Sequence, residues 1–175
     1  VKVEDKYKDL PVNYWVYPEN QHEAYRSFGK TPDMLDYFNR VTGVKYPFEK
    51  YDQVIITDFM WGGMENITLT HNTDRTMHDS KAQPDHSSVG LVAHELAHQW
   101  YGDMITTRNW SHIWLNEGFA TFFSRLYRTE DMGKDEGDYI KLSEIRGYQK
   151  ADSAKRRPTV DYNYREPFEL FTSHV

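Results

Sequence analysis

Cysteine is absent from the 175-residue chain, which excludes disulfides, cysteine-ligated metal sites and thiol catalysis. Long apolar runs are missing too: none approaches the ~18–20 residues of a membrane helix, and mean hydropathy is −0.83. Nor is there a basic excess. With 21 Lys+Arg against 27 Asp+Glu the net charge is −6, without the basic face of a general nucleic-acid binder. No Gly/Ser linker, internal repeat or low-complexity tract divides the chain, and its length fits one domain over residues 1–175. Neither an initiator Met nor a signal peptide opens it, and no helix-stop residues close it at Val175. Both ends are therefore expected to be cuts in a longer chain. What is present suits a packed core: 38% hydrophobic and 15% aromatic residues are too many for a disordered chain.

Residues 10–17 read as a strand, Pro18-Glu19-Asn20 as a turn, and a helical stretch follows from Gln21. Thr31 is expected to cap a helix with Pro32 at its first position. Met34, Leu35, Phe38 and Val41 then recur at three- and four-residue steps, marking one apolar face, and Gly43 ends it. Gln53 to Thr57 is β-branched and suits a buried strand. Ile67 to Thr70 alternates and is expected at a sheet edge. His71 to His86, with Pro84 near its end, reads as a loop. Ser87 or Ser88 can cap a helix running through Val89, Leu91, Val92, Leu96 and Trp100, with Gly102 as its stop. Two more helices are predicted from Trp114 to Arg128 and from Lys134 to Lys150, with an irregular tail from Arg156. Strands precede helices, which gives an α+β class.

His94-Glu95-Leu96-Ala97-His98 lies inside the third predicted helix. Positions four apart are about 40° apart around a helix and one turn along it, so both imidazoles can reach one metal ion. Zinc accepts imidazole nitrogen and needs at least one more protein ligand in a catalytic site. Glu95 can stand beside the ion without binding it, where it can take a proton from the attacking water. Val92, Ala93, Leu96 and Ala97 supply the packing that fixes these side chains. Glu117, with eighteen residues between it and His98, sits where a second helix can cross the first. The plainer alternative is two packing histidines and a solvated acid. Upstream, Gly62 and Gly63 allow close backbone approach by a ligand, though alone the stretch reads as a hairpin turn.

Gly62-Gly63-Met64-Glu65-Asn66, then His94-Glu95-x-x-His98, then Glu117 in Trp114-Leu115-Asn116-Glu117-Gly118-Phe119-Ala120 together resemble the aminopeptidase N family of gluzincin zinc peptidases. Tyr46-Pro47 is also family-like. The resemblance implies a thermolysin-like fold, a mixed sheet followed by zinc-binding helices, of which this chain is the first lobe. It implies one Zn²⁺ per chain held by His94, His98 and Glu117, with Glu95 as general base. Glu65 matches the anchor for a substrate's free α-amino group, and Gly62, Gly63 and Met64 the backbone beside the peptide, with Asn66 closing the motif. A carboxylate near such a cleft attracts an ammonium and sets a fixed distance to the first peptide bond. The implied substrates are peptides with a free N-terminus. Gly63 stands where the family often has Ala, and glycine at this position is similar to the aminopeptidase B and leukotriene hydrolase branch. The family's oxyanion-stabilising tyrosine, in a Tyr-x-Lys-Gly segment, is expected beyond Val175, along with a further helical region. An N-terminal β domain is expected upstream. The chain by itself is then expected to be a weak peptidase.

Two rivals remain: a zinc-binding interaction domain without catalysis, against which stand all four intact motif residues, and an endopeptidase, against which stands Glu65. His22, His71, His78, His86, His112 and His174 lack ligand spacing and read as surface or packing residues. Glu130, Asp131, Asp135, Glu136 and Asp138 read as solvated acids. The sequons at Asn66 and Asn109 read as chance, and Arg156-Arg157 is too short a basic pair to suggest nucleic acid.

Overall fold

A computed structural model describes residues 1–83 and 85–174 of the chain. Pro84 and Val175, which fall within the loop and tail readings above, lie outside the described residues. The sheet is built from β1 (Lys2–Tyr7), β2 (Leu10–Trp15), β3 (Tyr51–Ile56), β4 (Gly63–Met64) and β5 (Leu69–Thr73), in the order β1-β2-β3-β5-β4. β1 was not legible in Lys2-Val3-Glu4-Asp5-Lys6-Tyr7, where charge dominates. It forms because β2 pairs with it antiparallel, from Tyr7↔Leu10 to Lys2↔Trp15, around a tight turn with Lys8 at φ 55°.

β2 and β3 are parallel, and parallel neighbours need a long crossover. That crossover contains α1 (Ala24–Phe28) and α2 (Thr31–Thr42). The simple order of strands first and helices afterwards is therefore corrected: two helices lie between the second and third strands. Pro18–Glu23 is a 3₁₀ turn leading into α1. Thr31 is not a cap. It lies within α2, fully buried, donating its hydroxyl to Phe28 O at 2.6 Å and accepting from Gln53 Nε2 at 2.9 Å. Its side chain serves the core and not the helix end. Met34, Leu35 and Phe38 are buried as their spacing predicts, while Val41 on the last turn is exposed. Gly43 ends the helix at φ 71°, a left-handed conformation that glycine adopts at no steric cost.

β5 also departs from expectation. It is interior, parallel to β3 on one side and antiparallel to β4 on the other, so the edge is β4. Three helices follow: α3 (Val89–His98), α4 (Trp114–Met132) and α5 (Lys134–Ala154). Ser88 precedes α3, but its hydroxyl donates to Ser27 O at 2.5 Å and caps nothing. Val12, Tyr14, Tyr51 and Ile55 of the sheet share a core with Phe28, Met34, Leu35 and Phe38, and with Val92, Leu96 and Trp100 around α3. Phe38 meets Trp100, Phe123 and Tyr127 edge-on, with ring centroids 5.9–6.2 Å apart. This aromatic knot joins α2, α3 and α4. Three of the acids expected to be solvated are paired: Asp138 with Lys134 within α5, and Glu130 with Arg40 at 3.0 Å and Asp131 with Lys30 at 2.5 Å, which tie the end of α4 back to α2 and the residue before it. Among the described residues, no helix is long and apolar enough to cross a membrane.

Candidate active site

α3 and α4 pack antiparallel. Near one end Ser124 Oγ on α4 donates to Gly90 O on α3 at 2.7 Å. Near the other end the predicted donors meet. His94 Nε2 and His98 Nε2 are 3.1 Å apart, and Glu117 Oε2 lies 3.3 Å from the first and 3.5 Å from the second. The ring orientations have identifiable causes. His98 Nδ1 is 3.0 Å from Tyr101 O, and a carbonyl can only accept, so Nδ1 donates and Nε2 is turned to the cluster. His94 Nδ1 lies 3.4 Å from Thr121 Oγ1 on α4.

Charge in this cluster is strongly displaced. Burial raises the Glu117 carboxyl, but hydrogen bonds from His94 and His98 outweigh it and hold it down at about 2. Burial lowers His98, yet the Glu117 hydrogen bond and the charges of Glu65, Glu117 and Glu95 push it up to about 9. Without a metal ion the cluster thus retains a proton among its donors, as expected where negative charge converges on a cation site. Glu95 is buried beside it. Burial raises its carboxyl to about 8, opposed by His98 and reinforced by Glu65, Glu117 and Asp103.

The glycine pair brings the edge of the sheet across α3. A methyl added to Gly62 would stand 3.2 Å from Leu91 Cδ1, and one added to Gly63 only 2.3 Å from Glu95 Oε1. The strand runs over the Glu95 carboxyl with no room for a side chain between. Gly62, Gly63, Met64 and Glu65 line the same cleft of about 920 Å³ as His94, Glu95, His98 and Glu117. The carboxylate of Glu65 lies with those of Glu95 and the His98 ring in a second group whose ligand atoms are all within 4.8 Å. Among the described residues these two groups are the clusters able to hold a metal ion. Asn66 is not brought into the cleft; its Nδ2 lies 2.7 Å from His71 Nδ1. Of the histidines without ligand spacing, His78 is buried against Thr76 O and His22 is exposed.

Two residues that sequence reasoning passed over hold this arrangement. Gln99, fully buried, donates through Nε2 to Glu65 O at 2.9 Å and to Asp103 Oδ2 at 2.6 Å. Its Oε1 accepts from Thr68 N at 3.0 Å and from Tyr46 Oη at 3.2 Å. Burial and the Glu65 charge raise Asp103 to about 7. The only sequence signal was proximity to His98, which does not distinguish Gln99 from its neighbours. The cleft is also lined by apolar side chains, Leu91, Trp110, Phe171 and a stacked Trp61–Phe168 pair 5.6 Å between centroids, and by the charged Arg125, Arg128 and Glu144.

A mixed α+β domain with a five-stranded sheet and a partly buried His, His, Glu donor set in a cleft is thereby defined. Residues 26–175 match the peptidase family M1 domain, and the chain belongs to that family. It is 34% identical over 174 residues to glutamyl aminopeptidase of Bos taurus, covering 93% of this chain and 18% of the relative. It is 35% identical over 125 residues to aminopeptidase N of Canis lupus familiaris, covering 66% and 12%. With aminopeptidase M1 of Arabidopsis thaliana it shares 45% over 96 residues, covering 53% and 11%. The chain thus spans less than a fifth of these relatives.

Proposed function

We propose that residues 1–175 form the first lobe of a thermolysin-like catalytic domain, in a zinc aminopeptidase that removes single residues from peptide N-termini. The carrying observation is the convergence of His94 Nε2, His98 Nε2 and Glu117 Oε2 to within 3.1–3.5 Å of one another, with Glu95 and Glu65 alongside. Tetrahedral bonds of ~2.0–2.1 Å separate neighbouring donors by roughly 3.3–3.4 Å, so this donor set fits zinc in both chemistry and spacing. Zinc held there supplies Lewis acidity toward the scissile carbonyl and toward water.

The remaining work falls to side chains. Glu65 receives the substrate ammonium and so fixes the first peptide bond over Glu95. Glu95 takes a proton from the attacking water and returns it to the leaving amine. Burial supports this role, because a carboxyl raised toward neutrality is a stronger base than an ordinary one. Tyr101 O holds the His98 ring in its donor orientation, and Gln99 holds the Glu65 backbone.

The test is hydrolysis of free and N-acetylated peptides by the whole protein that carries this chain. Free-amine peptides should be cleaved and blocked ones spared, and Glu95→Gln should lose ~10²–10⁴ in rate while keeping its metal. Near-normal turnover by that variant would overturn the role of Glu95. Equal cleavage of blocked peptides would indicate an endopeptidase, and stoichiometric zinc without hydrolysis a binding domain.

A further inference from the structure

One charged group in the cleft has no place in the mechanism above. Arg128 lies on α4 eleven residues past Glu117, which puts it about 20° away around the axis and roughly 16 Å along it. It is half-buried in the cleft wall. Its guanidinium packs over Gly90 of α3, where an added methyl would meet Nη1 and Cδ at 3.5 Å. The neighbouring Arg125 is matched by Glu144, with Nη1 to Oε2 at 2.7 Å. Arg128 has no acidic or hydrogen-bonding partner among the described residues. Two guanidiniums and one carboxylate leave this end of the cleft with an uncompensated positive charge.

Its position along α3 gives that charge a direction. Glu65 is tied to the helix at Gln99, Gly63 lies over Glu95, Gly62 over Leu91, and Arg128 over Gly90. The amine anchor and Arg128 therefore flank His94 and Glu95 on opposite sides. A peptide with its amine at Glu65 extends past Glu95 toward Arg128. Four residues of α3, about 6 Å of rise, separate His94 from Gly90. An extended peptide advances ~3.3–3.6 Å per residue, so the Arg128 guanidinium, which reaches back over Gly90 from a Cα farther along α4, stands about two residues beyond the scissile bond.

We propose that Arg128 forms a carboxylate subsite for the leaving peptide, binding either the C-terminal carboxylate of a tripeptide or an acidic side chain at its third residue. The guanidinium offers a planar pair of donors that suits a carboxylate. This proposal rests on the aminopeptidase reading for the direction of the substrate. It assigns Arg128 a part in substrate selection and none in bond cleavage.

Calorimetry on the zinc-loaded Glu95→Gln form of the whole protein tests it without turnover. Ala-Ala-Ala is compared with its C-terminal amide, and Ala-Ala-Glu amide with Ala-Ala-Gln amide. At least one acidic member should bind roughly tenfold to a hundredfold tighter than its neutral partner. The first pair reports a C-terminal carboxylate and the second a side chain. Arg128→Met should bring the ratio close to one, and Arg128→Lys should keep part of it. Should the Met form not fold, the Lys form and the comparison in the Arg128 protein decide. Equal binding within both pairs, or a preference that survives in the Met form, overturns the subsite. Cleavage of an alanyl-anilide, which has no residue past the scissile bond, separates this proposal from its premise. Anilide cleavage without carboxylate preference removes the subsite alone. A preference lost with Arg128 in a protein that cannot cleave the anilide removes the aminopeptidase reading alone.

Discussion

Glu65 and Glu117 are both carboxylates in one cleft, yet their surroundings give them different work. Glu117 is held ionised by two imidazoles, at about 2, as its proposed role of metal ligand requires. Glu117→Ala removes one of three donors, so zinc content after dialysis should fall sharply; stoichiometric retention would take Glu117 out of the ligand set. Glu65 faces the cleft just past β4, with its backbone carbonyl held by Gln99. A charged hydrogen-bonded pair with a substrate ammonium contributes on the order of 1.5–3 kcal/mol. Glu65→Ala should therefore lose about tenfold to a hundredfold in kcat/KM on free-amine peptides and little on N-acetylated ones. An equal fall on both would mean that Glu65 acts on the metal or on the fold.

α3 is the element on which everything converges. Its inner side is fixed by Leu96 and, just past its end, Trp100, both buried, and its cleft side presents His94, Glu95 and His98. Phe38 on α2 is the wedge that sets this helix against α4. Phe38→Ala should destabilise the protein by about 3–5 kcal/mol, read as a lower urea midpoint at unchanged m-value. At the C-terminal end of α3, Gln99 bridges the helix to the strand of Glu65. Gln99→Leu keeps the volume but strands the Thr68 N–H and the Glu65 carbonyl. Each buried orphan costs about 1–3 kcal/mol. KM for free-amine peptides should rise while zinc content is unchanged; an unchanged KM would mean that the strand holds its place without Gln99.

At the scale of the molecule, the buried charges set an unusual pH profile for the metal-free protein. Glu95 at about 8 and Asp103 at about 7 hold protons that the unfolded chain releases near 4, so stability falls as pH rises through that interval. His98 at about 9 acts the same way: its contribution is full below ~6.5 and lost as pH rises through 9. Glu117 works in the opposite sense, adding stability above its unfolded value and losing it as pH falls toward 2. Metal-free protein should thus be most stable near pH 4–5 and lose on the order of a few kcal/mol by pH 9. Zinc should flatten the upper limb by taking the place of the proton. A metal-free stability maximum at pH 7–8 would contradict these assignments. The parts of this molecule legible from residue pattern were those fixed within one element, while the meeting of Glu117 and Glu65 with the α3 residues was expected only through the family resemblance. The His94/His98 pair follows from helical pitch, the α2 face from its period, and the end of α2 from Gly43. What pairing and packing decide was not legible. β1 exists because β2 is its neighbour, β5 is interior because β4 covers it, and Thr31 turns to Gln53 across the core. Gln99 and Asp103 matter only where a distant strand passes over α3, and Arg128 only where antiparallel packing lays it on Gly90. Periodicity reports which way a side chain faces from its own helix or strand, whereas the partner it meets there is set by how the elements pack.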